Sequence, residues 1–360
     1  MRNKVGLWIY ENGGGTDIQQ KLIKTLNDKD IDCITGVDLS MAFAKEGTVY
    51  CKGYDLANLD LFFSYNAGQQ TPYQVYLYQT IDSMMPMINN FAAFSLSEDK
   101  FRTAHKLKLA GIPTTDYIVC NRDNIDQISD QLKRWNGRAI CKPVNGWGGN
   151  GIIKIEHERD LRLLKPFIES QPNIQFYLER IIENDFSDYR VDIVDGKFVA
   201  CYGRKAAPGS WKTNISSGGK VILREPIPEV VHLAQRAAFV TGLEIAGVDI
   251  IYDIEYQQYV VIEVNGIPAF ATPEQEALGL KFNNTKINYI ADLIESSIRP
   301  VTTNAQSASA SLNSGMIHLP SPEDAQATLT HKVSIHPAES NNSTTNADHP
   351  TNDSFEEFAL

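Results

Sequence analysis

"GVDIIYDIEYQQYVVIEVNGIPAF", residues 247–270, contains two apolar, strand-like runs joined by a short polar turn and reads as a β-hairpin. Successive strand residues point to opposite faces, so Glu263 and Asn265, two apart, share one face. A turn centred near Glu255 and Tyr256 sets Asp249 almost opposite Glu263 on the neighbouring strand. Two carboxylates and an amide on otherwise apolar strands are costly to bury without compensation. A hard divalent cation such as Mg²⁺ supplies that compensation, because it accepts a partial oxygen shell completed by water and phosphates. The alternative is an ordinary hairpin whose carboxylates face solvent.

Upstream, "CKPVNGWGGNGIIKIE", residues 141–156, places four glycines within six positions between two extended runs. Glycines let backbone N–H groups approach a ligand unobstructed, which suits a flap over phosphates, and Lys142 adds a positive charge. The GxxxxGK[ST] spacing is absent and strands flank the glycines on both sides, so this is not a Walker loop. Alone, such a hairpin is equally well explained as a structural turn. Cys141 beside Lys142 reads as an inert strand residue rather than an activated thiol.

Between these stretches lies "FYLERIIENDFSDYRVDIVDGKFVACYGRKAAPGSWKTNISSGG", residues 176–219. It reads as a strand, a polar link, a hairpin turning at Asp195 and Gly196, and a loop rich in Gly, Ser, Lys and Asn. Arg190, Arg204, Lys205 and Lys212 gather here in an acidic protein, and such cations hold phosphate or carboxylate. Taken singly, each is explained by a surface salt bridge.

The first 95 residues alternate in a βα manner: "KVGLWIY" as a strand, "NGGGTD" as a turn with Asp17 as helix N-cap, "IQQKLIKTLNDKD" as an amphipathic helix, "IDCIT" and "LDLFFSY" as strands. These predict a small parallel sheet. The glycines at 13–15 lack the GxGxxG spacing, which argues against a dinucleotide site. Ser97 is the expected N-cap of a helix over "EDKFRTAHKLKLAG", with acids in its first turn, and "IPTTDYIV" then resumes as a strand. His105, on that helix, reads as structural.

With 360 residues the chain has room for two or three domains, and 42% apolar and 21% charged residues suit a soluble globular protein. The sequence holds no apolar run near membrane-spanning length and no signal-peptide pattern, so a cytoplasmic protein without a membrane partner is expected. Five scattered cysteines without a CxxC pair predict reduced thiols and no zinc site. The formal charge of -11 disfavours nucleic-acid partners. Residues 301–360 contribute seven acids and one lysine to it, in a polar, small-residue composition that predicts a disordered tail. The terminal "FEEFAL" is a candidate docking peptide for a protein partner.

Taken in order, "INN…EDKFRTAHKLKLAGIP", "CKPVNGWGGNGI", "FYLERII…DYR", "GRK…KTNISSGG", "GVDIIY" and "VIEVNGIPAF" make the chain resemble the ATP-grasp superfamily, and within it the RimK-like carboxylate–amine (glutamate) ligases, over roughly residues 85–295. The resemblance implies an α/β fold. It comprises an N-terminal parallel-sheet (pre-ATP-grasp) domain over 1–95, an ATP-grasp small subdomain with a Gly-rich flap over 96–180 and a large subdomain with the Mg²⁺ site over 181–298. A disordered low-complexity tail over 299–360 completes the chain. It further implies that Lys100 and Lys142 contact ATP phosphates beneath a flap of Gly146, Gly148, Gly149 and Gly151. Glu179 with the backbone of Arg180 would form the adenine hinge, Asp188 would lie at the ribose side, and Lys205 and Lys212 would help hold the nucleotide. Asp249, Glu263 and Asn265 would bind Mg²⁺, with Mn²⁺ as the alternative ion, while Arg190, Arg204 and Asn214 would face phosphate or acyl-phosphate oxygens.

The chain departs from the glutamate ligases at "SSGG", where they have an HRGG-like stretch, and at "GIPAF", where Phe270 replaces a glycine. Both changes concern the acceptor region, so glutamate specificity does not transfer with the family. Trp147 inside the flap is a further departure. The implied activity is ATP-dependent amide or peptide bond formation through an acyl phosphate, on an amino-acid, peptide or small-molecule substrate. Related ligases often form homo-oligomers. The rival readings are a kinase-like phosphotransferase on the same scaffold and a non-catalytic nucleotide-binding regulator.

Overall fold

The computed structural model describes residues 2–10, 14–66, 71–121, 124–145, 151–170 and 175–298. They belong to one compact unit, Met1–Val301; a second unit, Thr302–Leu360, lies outside the described residues together with the expected disordered tail and its "FEEFAL" end. Gly146, Trp147, Gly148 and Gly149 of the expected flap also lie outside them.

The chain opens with β1 (Asn3–Ile9), α1 (Gly15–Asn27) and β2 (Ile31–Ile34), followed by β3 (Ala42–Lys45), β4 (Thr48–Cys51) and β5 (Tyr54–Asp55). It continues with β6 (Leu61–Tyr65), α2 (Pro72–Met84), β7 (Met87–Ile88), α3 (Phe91–Ser97) and α4 (Lys100–Leu109). Next come β8 (Tyr117–Asn121), α5 (Ile125–Arg134), β9 (Ala139–Lys142), β10 (Ile153–Ile155), α6 (Glu158–Ser170) and β11 (Gln175–Arg180). The last stretch holds β12 (Ser187–Val194), β13 (Lys197–Lys205), β14 (Lys220–Ile222), α7 (Pro228–Thr241), β15 (Ile245–Asp253), β16 (Gln258–Asn265), α8 (Pro273–Ala277) and α9 (Asn283–Ile298).

Strands β2-β1-β6-β7 form the expected parallel sheet, and β3-β4-β5 form a small antiparallel one. Every residue of β6 is buried, as a parallel strand covered on both faces must be. One face of this sheet packs on α1 and α9, the other on α2 and the small sheet. Helix α9 comes from the far end of the chain, so the N-terminal sheet shares its core with Val194, Val199 and Ile245 of the later strands.

Two antiparallel sheets follow, β10-β9-β11-β8 and β14-β13-β12-β15-β16. Helix α5 seals one face of the first through Ile128 and Leu132 against Leu178. Helix α7 seals one face of the second, against Val191, Ile193, Val248 and Ile250. Alternation along β12 therefore turns Asp188, Arg190 and Asp192 to the opposite face.

Two capping expectations need correction. Helix α1 is capped by Gly14 at φ 90°, not by Asp17, which sits in the first turn. Ser97 ends α3, and α4 is capped by Asp99, whose carboxylate accepts from the Arg102 N–H at 2.8 Å. Asp competes as an N-cap as effectively as Ser, so the true break falls two residues later than the first capping signal. No described helix is long and apolar enough to cross a membrane.

Candidate active site

The expected hairpin turns between β15 and β16, and its register pairs Asp249 with Glu263 and Gly247 with Asn265. The pairing shifts between Asp249 and Ile250, because Ile250 pairs with Val261 and leaves Ile262 as an extra residue. Such a bulge re-aims side chains. Consecutive Ile262 and Glu263 thereby both line the cavity between the two antiparallel sheets.

One wall of that cavity comes from β9 and β11. Lys142 donates to Glu179, which also accepts from the Tyr177 hydroxyl at 2.8 Å. Burial pushes the Cys141 thiol up to about 11, consistent with an inert strand residue. Arg180 lines the cavity, but its guanidinium is committed elsewhere: to Asp253, to Glu255 at 3.0 Å and over the Tyr256 ring at 4.3 Å. Its backbone N–H donates to the Asp116 carbonyl at 2.9 Å.

The opposite wall is a charge network on β12, β13 and β15. Asp249 is 2% exposed and accepts from Arg190, through Nε and through Nη2 at 3.1 Å, while Arg204 Nη2 lies 2.8 Å away. Burial alone would raise the Asp249 carboxyl; the two guanidiniums outweigh it and hold the pKa below the usual carboxylate value. Arg204 also forks onto Asp188, whose Oδ2 takes the Thr213 hydroxyl as well. Asp188 is 0% exposed and is not among the residues that line the cavity.

Lys100 starts α4, where a cation opposes the helix dipole. Its Nζ lies 3.2 Å from Glu263 Oε1, which offsets that misplacement and brings the lysine to the cavity. Lys212 and Asn214 line the cavity from the loop after β13. That loop folds back tightly: a Cβ on Gly219 would sit 2.1 Å from the Thr213 carbonyl, so "SSGG" needs its last glycine. Lys205 does not line the cavity; it alternates away from Arg204 and is exposed. Asn265 donates through its amide to the Gly247 carbonyl at 3.3 Å and is not among the residues that line the cavity. Phe270 is buried against Tyr65, with ring centroids 5.5 Å apart, and does not face the cavity.

Sequence reasoning missed an apolar slot of Ile140, Ile152, Ile182, Ile251 and Ile262, and the neighbouring Trp211. These come from β9, the residue before β10, the link after β11, and β15 and β16. No local pattern could have gathered them. The isoleucines are interleaved with charged side chains: Lys142 pairs with Glu179, Lys100 with Glu263 and Arg204 with both Asp249 and Asp188, while Lys212, over the Trp211 ring, adds a further cation to the lining.

Among the described residues, no three His, Cys, Asp or Glu side chains gather into a metal cluster. Asp249, Glu263 and Asn265 carry hard oxygen donors on adjacent strands, the donor chemistry that suits Mg²⁺ when substrate phosphates complete the shell.

Residues 97–291 match the RimK-like ATP-grasp domain, more than half of the chain. The tetrahydromethanopterin:alpha-L-glutamate ligase of Methanocaldococcus jannaschii is 29% identical over 277 residues, 74% of this chain and 91% of that protein. Among solved structures, the Chryseobacterium gregarium RiPP-associated ATP-grasp ligase, in complex with ADP and a leader and core peptide, aligns with a TM-score of 0.60 at 14% identity, covering 83% of this chain and 98% of that one. The D-alanine–D-alanine ligase of Bacillus anthracis, complexed with ATP, aligns at 0.55 with 17% identity, covering 83% and 98%. Two antiparallel sheets enclosing an apolar and ionic cleft are what this match leads one to expect, and the chain belongs to the RimK-like ATP-grasp family of ATP-dependent carbon–nitrogen ligases.

Proposed function

We propose that this chain joins a substrate carboxylate to an amine, with an amino acid such as glutamate as the amine and a peptide or small molecule as the carboxylate. The observation that carries the reading is a cavity lined by isoleucines and by five cations, Lys100, Lys142, Arg180, Arg204 and Lys212, against three carboxylates, Glu179, Asp249 and Glu263. A planar base suits the isoleucines and a triphosphate the cations. Because three carboxylates offset most of the five cations, the lining alone neutralises only part of a triphosphate's charge. A divalent ion held by Asp249, Glu263 and Asn265 would offset that charge and polarise the transferring phosphoryl group.

In this reading Lys142 exchanges its partner Glu179 for phosphate oxygens, and Lys100 does the same from Glu263. Arg204 and Arg190, fixed by Asp188 and Asp249, stabilise charge on the phosphoryl and acyl-phosphate oxygens without reorganising. The carboxylate oxygen attacks the γ-phosphorus, ADP leaves, and the amine nitrogen then attacks the acyl carbon, expelling inorganic phosphate and forming the amide. The name borne by the archaeal relative supports glutamate as the amine. The leader and core peptide bound to the Chryseobacterium neighbour support a peptide as the other substrate.

The test is ADP release from purified protein, ATP and Mg²⁺ with pooled peptides and amino acids. The expected outcome requires both a carboxylate and an amine and yields an amide seen by mass spectrometry. ADP release with the phosphate retained on a hydroxyl would replace this reading with phosphotransfer.

A further inference from the structure

Lys286 of α9 is a lysine with 0% exposure, held by an aspartate that is equally buried. Its Nζ lies 2.8 Å from Asp192 Oδ2, 2.8 Å from the Pro268 carbonyl and 3.1 Å from the Ala269 carbonyl. The Phe270 ring centroid is 4.6 Å away. Burying an ion pair adds little stability by itself, since apolar residues of similar volume generally do as well. The pair therefore needs another explanation.

The surroundings supply one. Pro268 and Ala269 belong to the short loop that leaves Asn265, and the Tyr65 hydroxyl donates to the same Pro268 carbonyl. The loop lies directly over Gly247: a Cβ there would meet the Pro268 side chain at 2.6 Å and Arg190 Nη1 at 3.0 Å. Gly247 is also the residue whose carbonyl receives the Asn265 amide. Asp192 lies two residues beyond Arg190 on the same face of β12. One ammonium thus ties β12, which carries Arg190, to the loop that follows Asn265.

We propose that Lys286 is a positioning residue for the cation- and phosphate-binding end of the cavity, acting through the Pro268–Ala269 carbonyls on Asn265 and through Asp192 on Arg190. This rests on the ligase reading above. The ammonium fixes the distance between the strand end bearing the amide oxygen donor and the arginine facing it. Removing it lets the loop rise from Gly247 and spreads the donor set.

The experiment uses the full chain with Mn²⁺ as the probe, titrated by electron paramagnetic resonance with and without a nonhydrolysable ATP analogue. Lys286→Met leaves Asp192 as a buried unpaired charge; Lys286→Met/Asp192→Leu removes both ends and keeps the core apolar, so the double variant serves where the single one does not fold. The double variant is expected to melt near the wild type and, in EDTA, to bind the analogue only about two- to threefold more weakly, the share that passes through Arg190. Its Mn²⁺ affinity in the ternary complex falls about 10-fold or more, the loss typical when a support behind a metal ligand is removed. A folded variant whose Mn²⁺ affinity stays within about twofold of wild type overturns the proposal. Failure of the ligase reading appears separately, as wild-type ADP release that ignores carboxylate and amine.

Discussion

The two walls of the cavity hold charge in different ways. On the β9–β11 wall a single lysine meets a single glutamate, and Glu179 keeps the Tyr177 hydroxyl as a second partner. On the β12–β13–β15 wall, Arg190 and Arg204 interlock with Asp188 and Asp249, and Arg204 touches both carboxylates. The first wall can release its cation by breaking one contact. The second cannot move one group without stranding another. A lysine held by one carboxylate opposite interlocked arginines is the division expected where one side admits a substrate and the other stabilises developing charge.

The largest test of this contrast is Asp249→Ala. It leaves two buried guanidiniums short of a partner and is expected to cost about 3–5 kcal/mol in chemical denaturation, with turnover lost. The pH dependence sharpens it. Asp249 has a folded-state pKa below its unfolded value near 3.9, so its contribution is complete above that value and disappears as pH falls through the folded pKa. The stability gap between wild type and Asp249→Asn should therefore close on acidification; a gap independent of pH would mean the carboxylate is not the source.

On the other wall, Lys142→Met is expected to weaken ATP binding about 10- to 100-fold by calorimetry, the worth of one or two charge-assisted contacts. Its stability loss should be well below that of Asp249→Ala. If the stability losses were equal, the two walls would not differ as described. The smallest effect belongs to Lys108→Ala, outside the cavity, where a pair with both side chains solvent-exposed lies at 2.8 Å. That change should shift stability by under about 0.5 kcal/mol and leave nucleotide affinity untouched.

Relations between residues close in the chain are legible in the sequence alone. The alternation of "VVIEVN" sets Glu263 and Asn265 on one side, the polar turn brings Asp249 to within one residue of facing Glu263, and Asp195 with Gly196 turns the β12–β13 hairpin, all because strand periodicity and turn chemistry act over a few residues. The parallel N-terminal sheet is legible for the same reason. Tertiary structure alone decides what those groups meet. The isoleucine slot draws on separate strands, the bulge at Ile262 turns two neighbours inward together, Asp188 is committed to Arg204, and Lys286 reaches Asp192 across 94 residues. Such partners are chosen by which faces the folded sheets bury against each other, and burial is a property of the assembled core that no local stretch of sequence carries.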